Sequence, residues 1–396
     1  MKQYIELLKS EPLLKRLSII QSISYFAAWF SSVAIYTLLL QLSVSALIVA
    51  TVASLHFIAG VIQAPFSGSI IDRVQPKRLM LTLLAIEIVA TTLLLLVDNL
   101  SHIWLLFILV FIRMGAASFY FSAQMSLLPK IVSGKKLQQA NEIHSIIWST
   151  AYTAGMGVSG AVVFLMGVKI AFILDAALFV ICLYLLYKTE FKVIVTKSTQ
   201  TLLETMRDAF IYIKGNPLAL HLMFLHAFVG LSAFDALVAL MVDQYYSHII
   251  AIPLALGLMH AARAFGLMMG PILLGGWINN RRVILLFTMQ AICIWIWAAV
   301  MSNFYLSLLA SVLVGFFTTI LWSYTYTLLQ HNIDEKYYGR VIAYNDMLFL
   351  ISAALTSLGI GVLASLSYSL ESIALLIGVG FMVAAVYYRW ILKRYL

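Results

Sequence analysis

Gly68-Ser69-Ile70-Ile71-Asp72-Arg73-Val74-Gln75-Pro76-Lys77-Arg78 is the stretch on which the fold turns. It separates two long apolar runs and carries an acid and three cations in the space of seven residues. Gly68 is expected to let one helix end tightly, and Pro76 permits no helix straight through. The charges between them mark a water boundary. The spacing therefore predicts a short hairpin joining two membrane helices.

Composition extends the same reading to the whole chain. Its 396 residues are 63% hydrophobic and 10% charged, whereas a soluble domain carries about 25% charged residues. Mean hydropathy is +1.00. A soluble enzyme or binding module is excluded by that balance. The formal charge of +9 would point to nucleic acid in a soluble protein. Here the cations flank apolar runs, where they set topology and meet lipid headgroups. Membrane lipids are thus expected partners and nucleic acid is not. Cys182 and Cys293 both sit inside apolar runs, with no metal spacing and no disulfide framework. Met1 to Arg16 is amphipathic, and the apolar run after it is too long for a cleaved signal. Ser133-Gly134-Lys135 lacks the upstream glycine of a phosphate-binding loop, so neither ATP nor another cofactor is expected.

Twelve apolar spans are legible, at roughly 17–42, 46–66, 79–97, 103–127, 140–165, 169–188, 218–245, 252–276, 283–301, 304–328, 341–365 and 370–391. In hydrocarbon every backbone group must be satisfied within its own segment, so each is expected to be a helix. Of the 25 Lys and Arg residues, 22 fall in the tails, the linker or the loops of one side. Arg113 and Arg263 lie within spans, and Lys169 falls on the other side. The positive-inside rule then places both termini in the cytoplasm and makes the span count even. The outer loops are too short for an extracellular binding domain, which argues against a receptor. Between the sixth and seventh spans, Leu202, Met206, Phe210 and Ile213 recur at helical spacing among charges, the pattern of an interfacial amphipathic helix.

The quoted stretch resembles the loop between helices 2 and 3 of the major facilitator superfamily, whose pattern is G-x-x-x-D-R-x-G-R-[RK]. Pro76 and Lys77 stand near the family's second glycine and following cation. The chain also repeats itself. Ser126-Leu-Leu-Pro-Lys-Ile-Val132 returns as Thr327-Leu-Leu-Gln-His-Asn-Ile333, and Gly68-x-x-x-Asp72-Arg73 as Gly276-x-x-x-Asn280-Arg281. Two related halves joined by a linker fit the family's architecture. The resemblance thus implies an all-α membrane protein with twelve helices in two six-helix bundles: 1–188, a cytoplasmic linker at 189–217, and 218–396. Leu128-Pro129-x-x-Val132, Leu137-x-x-Ala140-Asn141, Tyr212-Ile-Lys-Gly-Asn216-Pro217 and Gly339-Arg340-Val341 are similar to the drug:proton antiporter branch that holds macrolide and siderophore exporters. In the fifth span, Gly155-Met-Gly157-Val-Ser-Gly160 keeps the small residues of that branch's antiporter motif without its proline.

Charges inside spans are costly, and each is a functional candidate. Arg113 lies about ten residues into its span, roughly 15 Å deep, and Glu87 lies at similar depth from the same side. Asp235 and Arg263 match in the second half. One acid–base pair per half is expected, either as a structural tie or as the proton path. Arg113-Met114-Gly115 resembles the helix-4 arginine motif of the antiporter branch, which ties Arg113 to proton transfer. Asp235 is favoured over Glu87 as proton carrier, because helix 7 lines the cavity in this fold. Gly68, Asp72, Arg73, Lys77, Arg78 and Asp346 are expected to form a cytoplasmic gate, with Asp346 reaching Asp72 and Arg73 across the halves. Asp346 alternatively only favours its helix N-terminus.

Helices 1, 4, 7 and 10 line the cavity in the family. On them, Tyr25, Trp29, Phe119, Tyr120, Phe228, Trp322, Tyr324 and Tyr326 offer aromatic walls, and Gln21, Gln124 and His226 offer polar handles. Such walls suit an amphipathic substrate, although aromatics near span ends also serve as interface anchors. No histidine spacing implies a metal. The resulting expectation is a secondary transporter, monomeric and resident in the cell's inner membrane. It exports an amphipathic drug, antibiotic or siderophore-like compound by proton antiport. A lipid or lysolipid transporter of the same fold is the alternative. An intramembrane acyltransferase would need a His–acid pair, for which His144 near Glu142 and His331 near Asp334 are the candidates.

Overall fold

The computed structural model describes residues 2–190, 202–274 and 277–396. A short amphipathic helix α1 (Lys2–Ser10) precedes α2 (Pro12–Gln41), α3 (Ala46–Arg73), α4 (Pro76–Leu93), α5 (Ile103–Ile131), α6 (Gly134–Met166) and α7 (Val168–Tyr187). Then come α8 (Leu202–Gly215), α9 (Pro217–Ala227), α10 (Asp235–Met241), α11 (Ile252–Leu274), α12 (Val283–Val300), α13 (Phe304–His331), α14 (Tyr338–Ser365) and α15 (Leu370–Arg394). Among the described residues twelve segments are long and apolar enough to cross a membrane: α2 to α7, α9 with α10, and α11 to α15. The protein is an all-α membrane protein of two six-helix bundles. Leu165, Ile272, Leu309, Leu355 and Val386 are each at least 64% exposed. That outer belt is stable only against lipid.

Packing repeats between the halves. In the first, α2 packs on α6 and α7, α3 on α5, and α4 on α5 and α7. In the second, α9 packs on α14 and α15, α11 on α13, and α12 on α13 and α15. The halves meet where α3 lies on α14 and α6 on α11. The second crossing is tight. A Cβ on Gly160 would come 2.6 Å from the Pro253 carbonyl oxygen and 3.0 Å from the Gly257 Cα. Small residues let the backbones touch there. This crossing lies at the end of the bundle away from the termini.

Several helices outrun their apolar runs. α3 continues through Gly68 to Arg73, so the chain turns at Val74 and Gln75 and not at the glycine. Pro76 opens α4 at its first turn, where its missing N–H leaves no bond unmade. The loop expected at 128–139 shrinks to Val132 and Ser133, because α5 and α6 extend into the polar layer. α1 is fastened there. Leu7 packs with Leu128, Val132 and Ile143, and the Tyr4 hydroxyl donates to Glu142 Oε2 at 2.9 Å.

α8 is the expected linker helix with a shifted inner edge. Ala209 and Ile213 are buried, while Phe210 is 59% exposed. The Tyr212 hydroxyl accepts from the Asp334 N–H at 2.9 Å, and its ring stacks on Tyr337. The Tyr344 hydroxyl donates to the Met206 carbonyl. These contacts fasten α8 to the second half.

The seventh span is broken, against the expectation of one continuous helix. Phe228–Ser232 is a tight 3-10 turn and α10 restarts at Asp235. The freed carbonyls are taken up by side chains: Arg263 donates to Ser232 O at 2.7 Å and Ser357 to Ala233 O at 3.1 Å. Gly230 allows the break to press on α14. A Cβ there would meet the Ala353 nitrogen and Phe349 oxygen at 2.8 Å.

Candidate functional site

In the first half, three apolar helices converge on one guanidinium. Arg113 of α5 places Nε 3.2 Å from Glu87 Oε2 of α4 and Nη2 3.0 Å from Asp175 Oδ2 of α7. Nε also donates to Thr91 Oγ1 at 3.1 Å. All three charged side chains are buried. Two carboxylates thus share one permanent cation, so that with both ionised one negative charge would have no buried counterion among the described residues. Asp175 was missed by the sequence reading. It is the one acid in Val168–Tyr187, so the rule that marked Glu87 applies to it, but depth-matching of pairs passed over a third member.

Glu87 also lines a cavity of about 120 Å³ between α2, α4, α5, α6 and α7. Tyr25, Trp29, Tyr120, Phe121, Trp148 and Phe179 supply the aromatic walls. The hydroxyls of Tyr25 and Tyr120 are buried and meet no hydrogen-bond partner among the described residues. Trp29 and Tyr152 lie with ring centroids 4.1 Å apart, and Trp148 meets Trp29 edge-on. Gln21 and Gln124 sit beside this cavity and are tied to each other. Gln124 Nε2 donates to Gln21 Oε1 at 3.1 Å, and the Gln21 amide nitrogen meets His144 Nδ1. His144 bonds to this glutamine pair rather than to Glu142, which bonds Tyr4.

The second half holds a different centre. Arg263 Nη1 of α11 donates to Asp235 Oδ1 at 3.1 Å, and its guanidinium lies 4.4 Å over the Phe234 ring. Here acid and cation match one to one. Asp235 is the first residue of α10, so the pair staples the break in the seventh span. His260 Nδ1 lies 3.5 Å from Asp235 Oδ1. Its ring stacks on Tyr36 of the first half, which stacks in turn on His56. None of these three was singled out from sequence.

The expected cavity residues of the second half divide. His226, Trp322 and Tyr326 form one cluster, with Trp322 and Tyr326 stacked at 5.0 Å and His226 against both. Phe228 instead packs on Tyr387 of α15. The Tyr324 hydroxyl donates to Asn280 Oδ1 at 2.7 Å, which draws it to the turn before α12. Both stand apart from the cluster because consecutive residues leave a helix about 100° apart.

Of the expected gate, Arg73, Lys77, Arg78 and Asp346 have side chains among the described residues. Arg73 is exposed and makes no ion pair with Asp346. The side chains of Gly68 and Asp72, and Gly276 of the repeat, lie outside the described residues. Lys77 donates to the Tyr187 carbonyl at 2.7 Å, a cation on the end of α7 within its own bundle. Arg78 is exposed. No group of three metal-ligating side chains occurs among the described residues.

Comparison with known proteins agrees with this architecture. The nucleoside transporter NupG superposes with a TM-score of 0.76 at 12% identity, covering 96% of this chain and 99% of that one. A bacterial homolog of the human lysosomal transporter Spinster, in an inward-facing and unoccupied conformation, gives 0.75 at 13% identity, with 96% of each chain covered. The POT family transporter PepTSo gives 0.74 at 11% identity, covering 96% and 98%. No curated protein matches the sequence itself. The family profile of the Major Facilitator Superfamily matches residues 17–277. The chain belongs to the Major Facilitator Superfamily of membrane transporters.

Proposed function

We propose that the protein exports an amphipathic small molecule in exchange for protons, with Glu87 as the proton carrier. The observation that carries this reading is the unequal charge count at Arg113: two buried carboxylates, one guanidinium, and one of the carboxylates on the wall of an aromatic cavity. A proton on Glu87 removes the excess charge, and substrate arriving in the cavity displaces it. Asp235 becomes the weaker candidate, because Arg263 already balances it and its position at the helix break gives it a structural task. The resemblance to the drug:proton antiporter branch supports the same direction of transport. Tyr25, Trp29 and Tyr120 offer ring faces and hydroxyls to an amphipathic ligand.

The halves on either side of the 189–217 linker rock about this site. In this reading both termini face the cytoplasm, which the cation distribution supports, and the protein works as a monomer in the inner membrane. The test is uptake of a fluorescent lipophilic cation into proteoliposomes under an imposed pH gradient. Gradient-dependent uptake that Glu87→Gln abolishes is expected. Uptake indifferent to the gradient would remove proton exchange, and labelled lipids would then be the next substrate to try.

A further inference from the structure

The end of α15 is fastened sideways onto the start of α9. His221 of α9 lies between two tyrosines. Its Nδ1 meets the Tyr387 hydroxyl at 2.7 Å, and its Nε2 meets the Tyr395 hydroxyl at 3.4 Å. Trp390 stacks on Tyr387 and stands edge-on to His221, with 4.9 Å between the ring centroids. Tyr395 lies one residue beyond α15, and its contact with His221 folds it back onto the bundle. Arg394 is carried with it. Its guanidinium lies 5.6 Å over the Trp390 ring and 5.8 Å over the Tyr395 ring.

Arg389, Lys393 and Arg394 end α15, and all three are exposed. Cations in a last helical turn often cap its carbonyls. These do not: among the described residues none of the three meets a carboxylate or donates to a carbonyl. The aromatic cluster also heads a longer stripe. Going into the membrane from Arg394, α15 presents Trp390, Val386 and Val383 at helical spacing. Phe224 and Phe228 follow His221 in the same way on α9, and Phe228 packs on Tyr387. Trp390, Val386, Val383 and Phe224 are exposed. Arg394 to Val383 spans about 16 Å at 1.5 Å per residue, close to one leaflet of the hydrocarbon core. The seam between α9 and α15 is therefore cationic at the membrane surface and apolar for the depth of one acyl chain.

We infer that this seam binds an anionic phospholipid, with Arg394 on the phosphate and an acyl chain along Val386 and Phe224. A guanidinium with no acceptor of its own can donate to two phosphate oxygens at once, and the neighbouring cations favour a lipid of net negative charge. A choline headgroup would bring a further positive charge among three cations, and Arg394 already covers the ring faces it would use. A soluble phosphate would leave the exposed apolar stripe uncovered. The lipid is a resident of the seam and not cargo, so the inference stands apart from the proposed function.

Native mass spectrometry of the purified full chain tests it. The chain is held in neutral-detergent micelles with equal mole fractions of dioleoyl phosphatidylglycerol and dioleoyl phosphatidylcholine, and the retained lipids are counted by mass. The unaltered chain is expected to retain the phosphatidylglycerol about tenfold over the phosphatidylcholine, and Arg394→Gln to lose most of that preference. Lys135→Gln removes an exposed cation from the first half at the same membrane end and is expected to leave the preference unchanged. The two-lipid comparison needs no variant and decides the matter if Arg394→Gln does not fold. Equal retention of both lipids, an undiminished preference in folded Arg394→Gln, or an equal loss in Lys135→Gln would each overturn the inference. Displacement of the lipid by glycerol 3-phosphate would also overturn it, by showing a site for the phosphate alone.

Discussion

Arg113 on α5 reaches Asp175 on α7 at 3.0 Å, and neither side chain touches solvent. With Glu87 on the other edge of the guanidinium, the contact ties α4, α5 and α7 together in the middle of the first bundle. Removing the cation would leave two buried carboxylates facing each other. Arg113→Gln is therefore expected to destabilise the protein by about 3–5 kcal/mol, enough to abolish expression, whereas Asp175→Asn, which keeps shape and acceptor, costs much less. Melting temperature of the detergent-purified variants checks the order. Equal stability of Arg113→Gln and the unaltered chain would contradict the arrangement.

Asp235 and Arg263 are unequal partners. Arg263 also holds the Ser232 carbonyl at 2.7 Å, so its loss frees both a buried charge and a broken helix end. Arg263→Ala should cost about 3 kcal/mol or more, and Asp235→Asn about 1–2 kcal/mol, because the asparagine still accepts from Arg263. Denaturation midpoints in mild detergent separate the two. A larger loss for Asp235→Asn would mean that the pair does not staple the seventh span.

The α6–α11 crossing predicts a steric block. Gly160→Leu would force a side chain onto the Pro253 carbonyl and hold the halves apart at the end away from the termini. Transport should fall by about tenfold or more, as expected for overpacking at a close helix contact. Gly359→Ala is the control, since a Cβ there meets nothing within 4 Å. Transport assays on both variants check it, and an active Gly160→Leu would show that the crossing need not close.

The seam of the halves was only partly legible. Apolar length and the placement of cations made twelve spans readable, because the bilayer imposes both constraints on every segment. Helix ends were misplaced where helices run into the polar layer, as α3 does to Arg73 and α6 does from Gly134. Hydropathy falls there while hydrogen bonding continues. Pairs matched in depth came together, but the third and fourth members did not announce themselves. Asp175 is the one acid of its helix, with no partner at matching depth on that helix to point to it, and His260 and Tyr36 meet only when the two halves are docked. Phe228 and Tyr324 went astray because their helices were assigned to the cavity as wholes, while each residue's rotation about the axis decides its neighbour. The break at residues 228–234 left no proline to read. It depends on Arg263 and Ser357, both distant in sequence.

The central claim is that Glu87 carries the exchanged proton. Its most direct test is substrate flux in proteoliposomes holding either the unaltered chain or Glu87→Gln, measured with a pH gradient and then as substrate exchange without one. The account predicts that Glu87→Gln loses the response to the gradient while still exchanging labelled for unlabelled substrate. Undiminished gradient-driven flux in Glu87→Gln would contradict it.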